Sequence, residues 1–148
     1  VLADRPAALA GGLLEPITVA CFEAGARHDG AAYEAALRHA RRVAHAMEEF
    51  FERFDLLLTP TLAEPPMALS VLDMQTDDWD SYFQRLLDAI PFTPLFNVTG
   101  SPAASVPLGW SDGGLPIGVQ FGAAVGAEAT VLRLARELEQ AEPWHDRI

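Results

Sequence analysis

The stretch FNVTGSPAASVPLG, residues 96–109, decides how the rest of the chain is read. It holds two glycines, two prolines, two serines and an asparagine, yet residues 103–108 have the character of a strand. Serines this close to glycines raise the question of a nucleophile. A serine hydroxyl is a weak nucleophile at neutral pH and needs a base within hydrogen-bond reach. The pattern G-x-S-x-G does not occur around Ser101 or Ser105. Pro102 removes the backbone N–H that an oxyanion hole after Ser101 would use. A serine–lysine arrangement is impossible, because all ten basic residues are arginine. Of the histidines, His39 and His45 lie in a long helical pattern and His145 in the tail, so neither they nor His28 make a self-contained triad the expected reading. No catalytic residue is assigned. Ser101 and Ser105 read as structural.

Downstream, WSDGG at 110–114 supplies turn residues, with Asp112-Gly113 suited to positive φ. PIGVQFG then alternates, placing Ile117, Val119 and Phe121 on one face. A hairpin of two strands is the expectation, with a less local pairing as the alternative. A helix follows from about 127 to 140, with Val131, Leu134, Leu138 and Ala141 on one side, Glu128 in its first turn and Pro143 beyond its end.

Upstream, Pro91 and Pro94 predict extended or turn geometry. An amphipathic helix fits residues 79–89. Residues 62–80, with Pro65-Pro66 and four aspartates, read as a surface loop. DLLLTPT, 55–61, reads as a buried strand that stops at Pro60. The strongest helical periodicity runs from 30 to 54, with Asp29 as N-cap and an aromatic end, Phe50, Phe51 and Phe54, expected in the core. A shorter helix fits residues 15–25, and its Cys21 is expected to be a buried thiol. Residues 1–12 read as a flexible start. The bottom-up sum is an α/β domain.

Composition narrows the partners. Ten Lys+Arg against 21 Asp+Glu give a formal charge of −11, which argues against nucleic acid and anionic membranes. Half the residues are hydrophobic, but no apolar run reaches the roughly 18–20 residues that a bilayer demands. The excess apolar content suits part of a larger core or an oligomer interface, a homodimer being one form. One cysteine permits no intrachain disulfide and fits a reducing, cytoplasmic setting. No H-E-x-x-H pair or calcium-loop spacing occurs, so neither a metal nor a cofactor is expected.

Four segments taken together resemble the C-terminal third of amidase-signature enzymes: FDLLLTPT (54–61), FNVTGSPAASVPLG (96–109), GLPIGVQFGA (114–123) and the final helix with LARELEQAEPWHDR. The resemblance covers roughly residues 13–148. It implies an incomplete part of a mixed, twisted β-sheet flanked by helices. It further implies hydrolysis of carboxylic amide C–N bonds, with a serine–serine–lysine triad in an N-terminal portion of the same enzyme that this sequence does not contain. The chain would then supply scaffold and pocket wall for a small amide. An alternative is a catalytically inactive module kept for binding or oligomerisation. Under the resemblance, the segment before Asn97 lines the substrate pocket, which makes Ile90, Phe92, Thr93 and Phe96 the pocket candidates. Thr59, Pro60, Asn97, Thr99, Gly100 and Pro102 form the structural motif, with Asn97 and Thr99 tying down the turn. Family members that act as the amidase subunit of a tRNA-dependent amidotransferase often carry an aspartate seven residues before the asparagine, where it helps hold the glutamine substrate. Isoleucine stands there at position 90, which implies an aliphatic or aryl amide.

Overall fold

A computed structural model describes residues 12–146. Apart from Gly12, the expectation of a flexible start at 1–12 lies outside the described residues. The elements are α1 (Pro16–Gly25), α2 (Gly30–Phe51), β1 (Leu57–Pro60), α3 (Trp79–Ala89), α4 (Pro94–Thr99), β2 (Ala103–Trp110), β3 (Pro116–Gly122) and α5 (Glu128–Ala141). They form two compact units, residues 12–35 with 67–88 and residues 36–66 with 89–146.

In the first unit, Pro16 sits in the opening turn of α1, where its missing N–H costs nothing. The Ile17 N–H donates to the Met74 carbonyl at 3.2 Å, tying the helix to the 67–78 segment. Ile17 and Ala24 are buried. Cys21 is exposed, correcting the expected buried thiol. An apolar neighbourhood in sequence does not guarantee cover in space: Ile17 and Ala24 lie on the covered side of α1, and Cys21 does not. Asp29 caps α2 by accepting the Ala32 N–H at 2.8 Å. Asp78 does the same for α3 through the Ser81 N–H at 3.1 Å.

Helix α2 is amphipathic, yet none of its 22 residues is buried. Its apolar stripe (Leu37, Ala40, Met47, Phe50, Phe51) is only half covered. Phe54, just beyond, is 51% exposed and stacks on Phe50 with ring centroids 4.7 Å apart. The aromatic end is therefore not core among the described residues, because no neighbour closes over it.

The second unit is organised by a three-stranded antiparallel sheet of order β1-β3-β2. β2 and β3 form the expected hairpin, with Val106 opposite Val119 and Ser105 opposite Gln120. Its turn closes through the Ser111 N–H to the Leu115 carbonyl at 2.9 Å. The positive φ falls on Gly114, at 79°, rather than on the Asp112-Gly113 pair. A register shift between Pro107 and Gly109 suits a proline that has no N–H for the ladder. β1 joins the free side of β3, pairing Thr59 with Gln120 and Pro60 with Val119.

One sheet face packs under α5. Val106, Phe121, Ala123 and Val131 form its buried core, with Leu134, Leu138 and Trp144 against them. Burial fades along β3, from Phe121 at 0% to Ile117 at 40% exposure. β1 was expected to be a buried strand, but Leu58 is 65% exposed. An edge strand is covered only as far as its neighbours reach.

The proline-rich 91–99 segment holds a short helix, α4, where extended or turn geometry was expected. Pro94 opens it, again in the first turn, where proline is tolerated. Gly100 closes it with φ 76°, its N–H donating to the Phe96 carbonyl at 2.9 Å. This left-handed cap releases the chain into β2.

Candidate functional site

Residues 57–61 alternate across β1, so Thr59 and Thr61 point to one face and Leu58 and Pro60 to the other. The threonine face also carries Gln120 and Gly118 from β3 and Ser105 from β2, as the register requires. This face, opposite the α5 core, is built from small and polar side chains.

Two hydrogen bonds cross it. Gln120 Nε2 donates to Thr59 Oγ1 at 3.1 Å, which satisfies an amide that is 5% exposed. Thr61 Oγ1 and Ser105 Oγ lie 2.5 Å apart. They meet directly over Gly118, where an added Cβ would stand 2.7 Å from each oxygen. The Thr61 N–H donates to the Gly118 carbonyl at 3.0 Å, continuing the ladder one step past β1. At the far end of the same face, Phe96 lies across Gly122, where a Cβ would overlap its ring.

Beside Thr61 and Gly118 is a cavity of about 310 Å³. Pro60 to Pro66 wall one side and Pro116, Ile117 and Gly118 the other. The lining is mostly apolar, with Thr61 and Glu64 as its polar side chains. Its volume is at the lower end of those that hold small ligands.

The chemistry available to the chain itself is limited. The Ser105 and Thr61 hydroxyls bond to one another rather than to a base. Ser101 is 8% exposed, with its Oγ 3.2 Å from Thr99 Oγ1 and its N–H donating back to that oxygen at 3.4 Å. His39 Nδ1 lies 3.1 Å from an Arg42 guanidinium nitrogen, and His45 faces Glu48 and Glu49 at 3.5 Å each. His145 faces Asp146 at 3.3 Å. Among the described residues no three His, Cys, Asp or Glu side chains gather as a metal site.

The residues singled out from the sequence fall in separate places. Phe96 is buried at 5% and serves the sheet packing over Gly122. Ile90, Phe92 and Thr93 are half-buried, with Thr93 Oγ1 3.5 Å from the Ile90 carbonyl. None of these four lines the cavity beside Thr61. Thr59 and Pro60 sit in β1, Pro60 also at the cavity. Thr99 bonds the Leu95 carbonyl at 3.0 Å, and Pro102 accepts the Ala123 N–H at 3.0 Å. Asn97 is exposed and holds no side-chain hydrogen bond among the described residues, so of the two side chains expected to tie down this turn Thr99 does so. Thr61, Gly118, Gln120 and the 62–66 wall were not singled out. The signal for them was present in LLTPT, whose two threonines are spaced by the strand period of two.

Comparison with known proteins gives concordant matches. The family model described as Amidase matches residues 7–132. A protein of Mycobacterium leprae (strain TN) that bears the name amidase AmiC is 43% identical over 109 residues, 74% of this chain and 23% of its own length. The 6-aminohexanoate-cyclic-dimer hydrolase of Paenarthrobacter ureafaciens is 38% identical over 121 residues, 78% of this chain and 24% of that protein. A solved structure of a 6-aminohexanoate cyclic dimer hydrolase superposes with a TM-score of 0.74 at 34% identity, over 88% of this chain and 28% of that one. The chain thus spans about a quarter of the length of the curated relatives it matches.

Proposed function

Since this chain belongs to the amidase family, we propose that it is the C-terminal scaffold and pocket-wall segment of an enzyme that hydrolyses carboxylic amide bonds. The nucleophile and its activating lysine are supplied from outside this sequence. The observation that carries the reading is the hydroxyl face of the sheet. Its serine and threonine bond to each other, and the sequence has no lysine to activate either. Amide hydrolysis through serine needs a base in hydrogen-bond reach, and these hydroxyls bond to each other instead, so the role left to them is positional.

Ile90, Phe92, Thr93 and Phe96 line the acyl side of the substrate pocket in the complete enzyme. The isoleucine at 90 favours an aliphatic or aryl amide over a polar amino-acid substrate, because a polar group facing it would lose hydration with no partner. A relative named for a cyclic dimer of 6-aminohexanoate agrees with an amide of hydrocarbon character. The partner of this chain is the remainder of the same polypeptide, and the enzyme works in the cytoplasm, where exposed Cys21 stays reduced.

The test compares two proteins on benzamide and hexanamide: the polypeptide of this sequence and the product of the complete open reading frame. Turnover is expected from the second and not from the first. Turnover by the first, abolished by Ser101→Ala, would overturn the reading.

A further inference from the structure

The cavity between the 60–66 segment and the start of β3 is held by more fixed points than a surface loop needs. Four of its ten lining residues are proline: Pro60, Pro65, Pro66 and Pro116. Each has its φ locked near −65°. Within the second unit the wall is also pinned at three places. The Thr61 N–H bonds the Gly118 carbonyl at 3.0 Å, the Ala63 N–H bonds the Ala89 carbonyl at 3.1 Å, and Thr61 Oγ1 bonds Ser105 Oγ at 2.5 Å. The third contact exists only because position 118 has no side chain, since a Cβ there would meet both hydroxyl oxygens at 2.7 Å. A wall so fixed loses little conformational freedom when something fills the space it bounds, and that is the property that favours binding.

We propose that this cavity is a specificity subsite that receives the hydrocarbon part of the amide substrate, and that the Thr61–Ser105 hydroxyl clamp over Gly118 sets its shape. The proposal rests on the amide-hydrolase reading above and names a second wall for that substrate, distinct from the Ile90–Phe96 segment. The occupant is apolar because the lining is. Leu62, Ala63, Ile117 and the prolines offer no charge, Thr61 spends its hydroxyl on Ser105, and Glu64 is the single charged side chain in an otherwise apolar lining. A volume of about 310 Å³ accommodates an aryl ring or a chain of several methylenes. Ser105 does not line the cavity. It acts through Thr61 and is a positioning residue.

The experiment uses the enzyme from the complete open reading frame and two substrates, acetamide and hexanamide. Ala63→Phe fills the cavity, and Thr61→Val removes the clamp while keeping the side-chain volume. For hexanamide, each variant is expected to raise KM about tenfold with kcat little changed. For acetamide, kcat/KM stays within about twofold. Thr61→Ser restores the hydroxyl and brings the hexanamide KM back towards the parent value. Equal losses on both substrates, or no change on either, would overturn the subsite while leaving the amidase reading intact. A parent enzyme that hydrolyses neither amide would overturn both.

Discussion

Thr61 Oγ1 and Ser105 Oγ, 44 positions apart in sequence, are in hydrogen bond across a middle strand that presents no side chain between them. β1 and β2 never touch as strands, since β3 separates them. The two outer strands are nonetheless linked by this contact, and the missing side chain of Gly118 is what permits it.

Gly118→Ala tests that geometry as a matter of stability. The new methyl must displace two hydroxyls and the Thr61 Cβ, which would stand 3.1 Å away. Overpacking of this kind costs about 1–3 kcal/mol. Ser105→Ala removes the bond without a clash and should cost about 1 kcal/mol. Urea unfolding of the complete enzyme should rank the two variants in that order.

Phe96→Ala should be more severe. The ring is 5% exposed and covers the bare position of Gly122. Removing a buried phenylalanine costs about 3–5 kcal/mol, cavity included. Gly122→Ala should shift the same ring from the other side, and a crystal structure of that variant would show Phe96 in a changed position.

Gly100→Ala isolates a conformational cost. Its φ is 76°, and nothing lies within 4 Å of an added Cβ. The penalty is therefore that of a left-handed backbone alone, about 1–2 kcal/mol. A measured change near zero would mean that α4 ends in some other geometry.

Ser101→Ala should leave amide turnover in the complete enzyme within about twofold of the parent. The loss should be confined to stability, at about 1 kcal/mol for the bond to Thr99. Steady-state kinetics and a denaturant titration separate the two outcomes.

The N-cap of α3 should respond to pH. Hydrogen bonds from the Ser81 hydroxyl and backbone N–H hold the Asp78 carboxyl below its ordinary range. A depressed folded-state pKa means that the ionised cap favours the helix fully above the unfolded value. That contribution fades as pH falls through the folded value. Protection of the Ser81 amide, taken relative to its intrinsic exchange rate, should therefore fall as pH drops below the ordinary carboxylate range, and Asp78→Asn should remove that fall while keeping a cap.

Much of the local architecture was legible because its signals are local. The period of the apolar residues placed α2, α3 and α5, the alternation in PIGVQFG placed β3, and Asp29 marked a helix start. Helix α4 was not legible, because Pro91 and Pro94 read as breakers although a proline in a first turn opens a helix as readily as it ends one. Burial was misjudged at Cys21, Leu58 and Phe54 for a shared reason. An apolar side chain is buried only when another element arrives to cover it, and no residue-by-residue pattern says whether one does.

The sequence alone determined what this chain lacks and how its segments fold. All ten of its basic residues are arginine, so no lysine of its own stands beside a serine, and its periodicities set helix and strand at close range. Only the tertiary structure decided which residues meet. The alternation in LLTPT puts Thr59 and Thr61 on one face, but it takes the register of β1 on β3, and of β3 on β2, to bring Thr61 to Ser105 and Thr59 to Gln120. Strand pairing is a relation between distant segments, fixed by which faces can be buried together, and no single segment carries it.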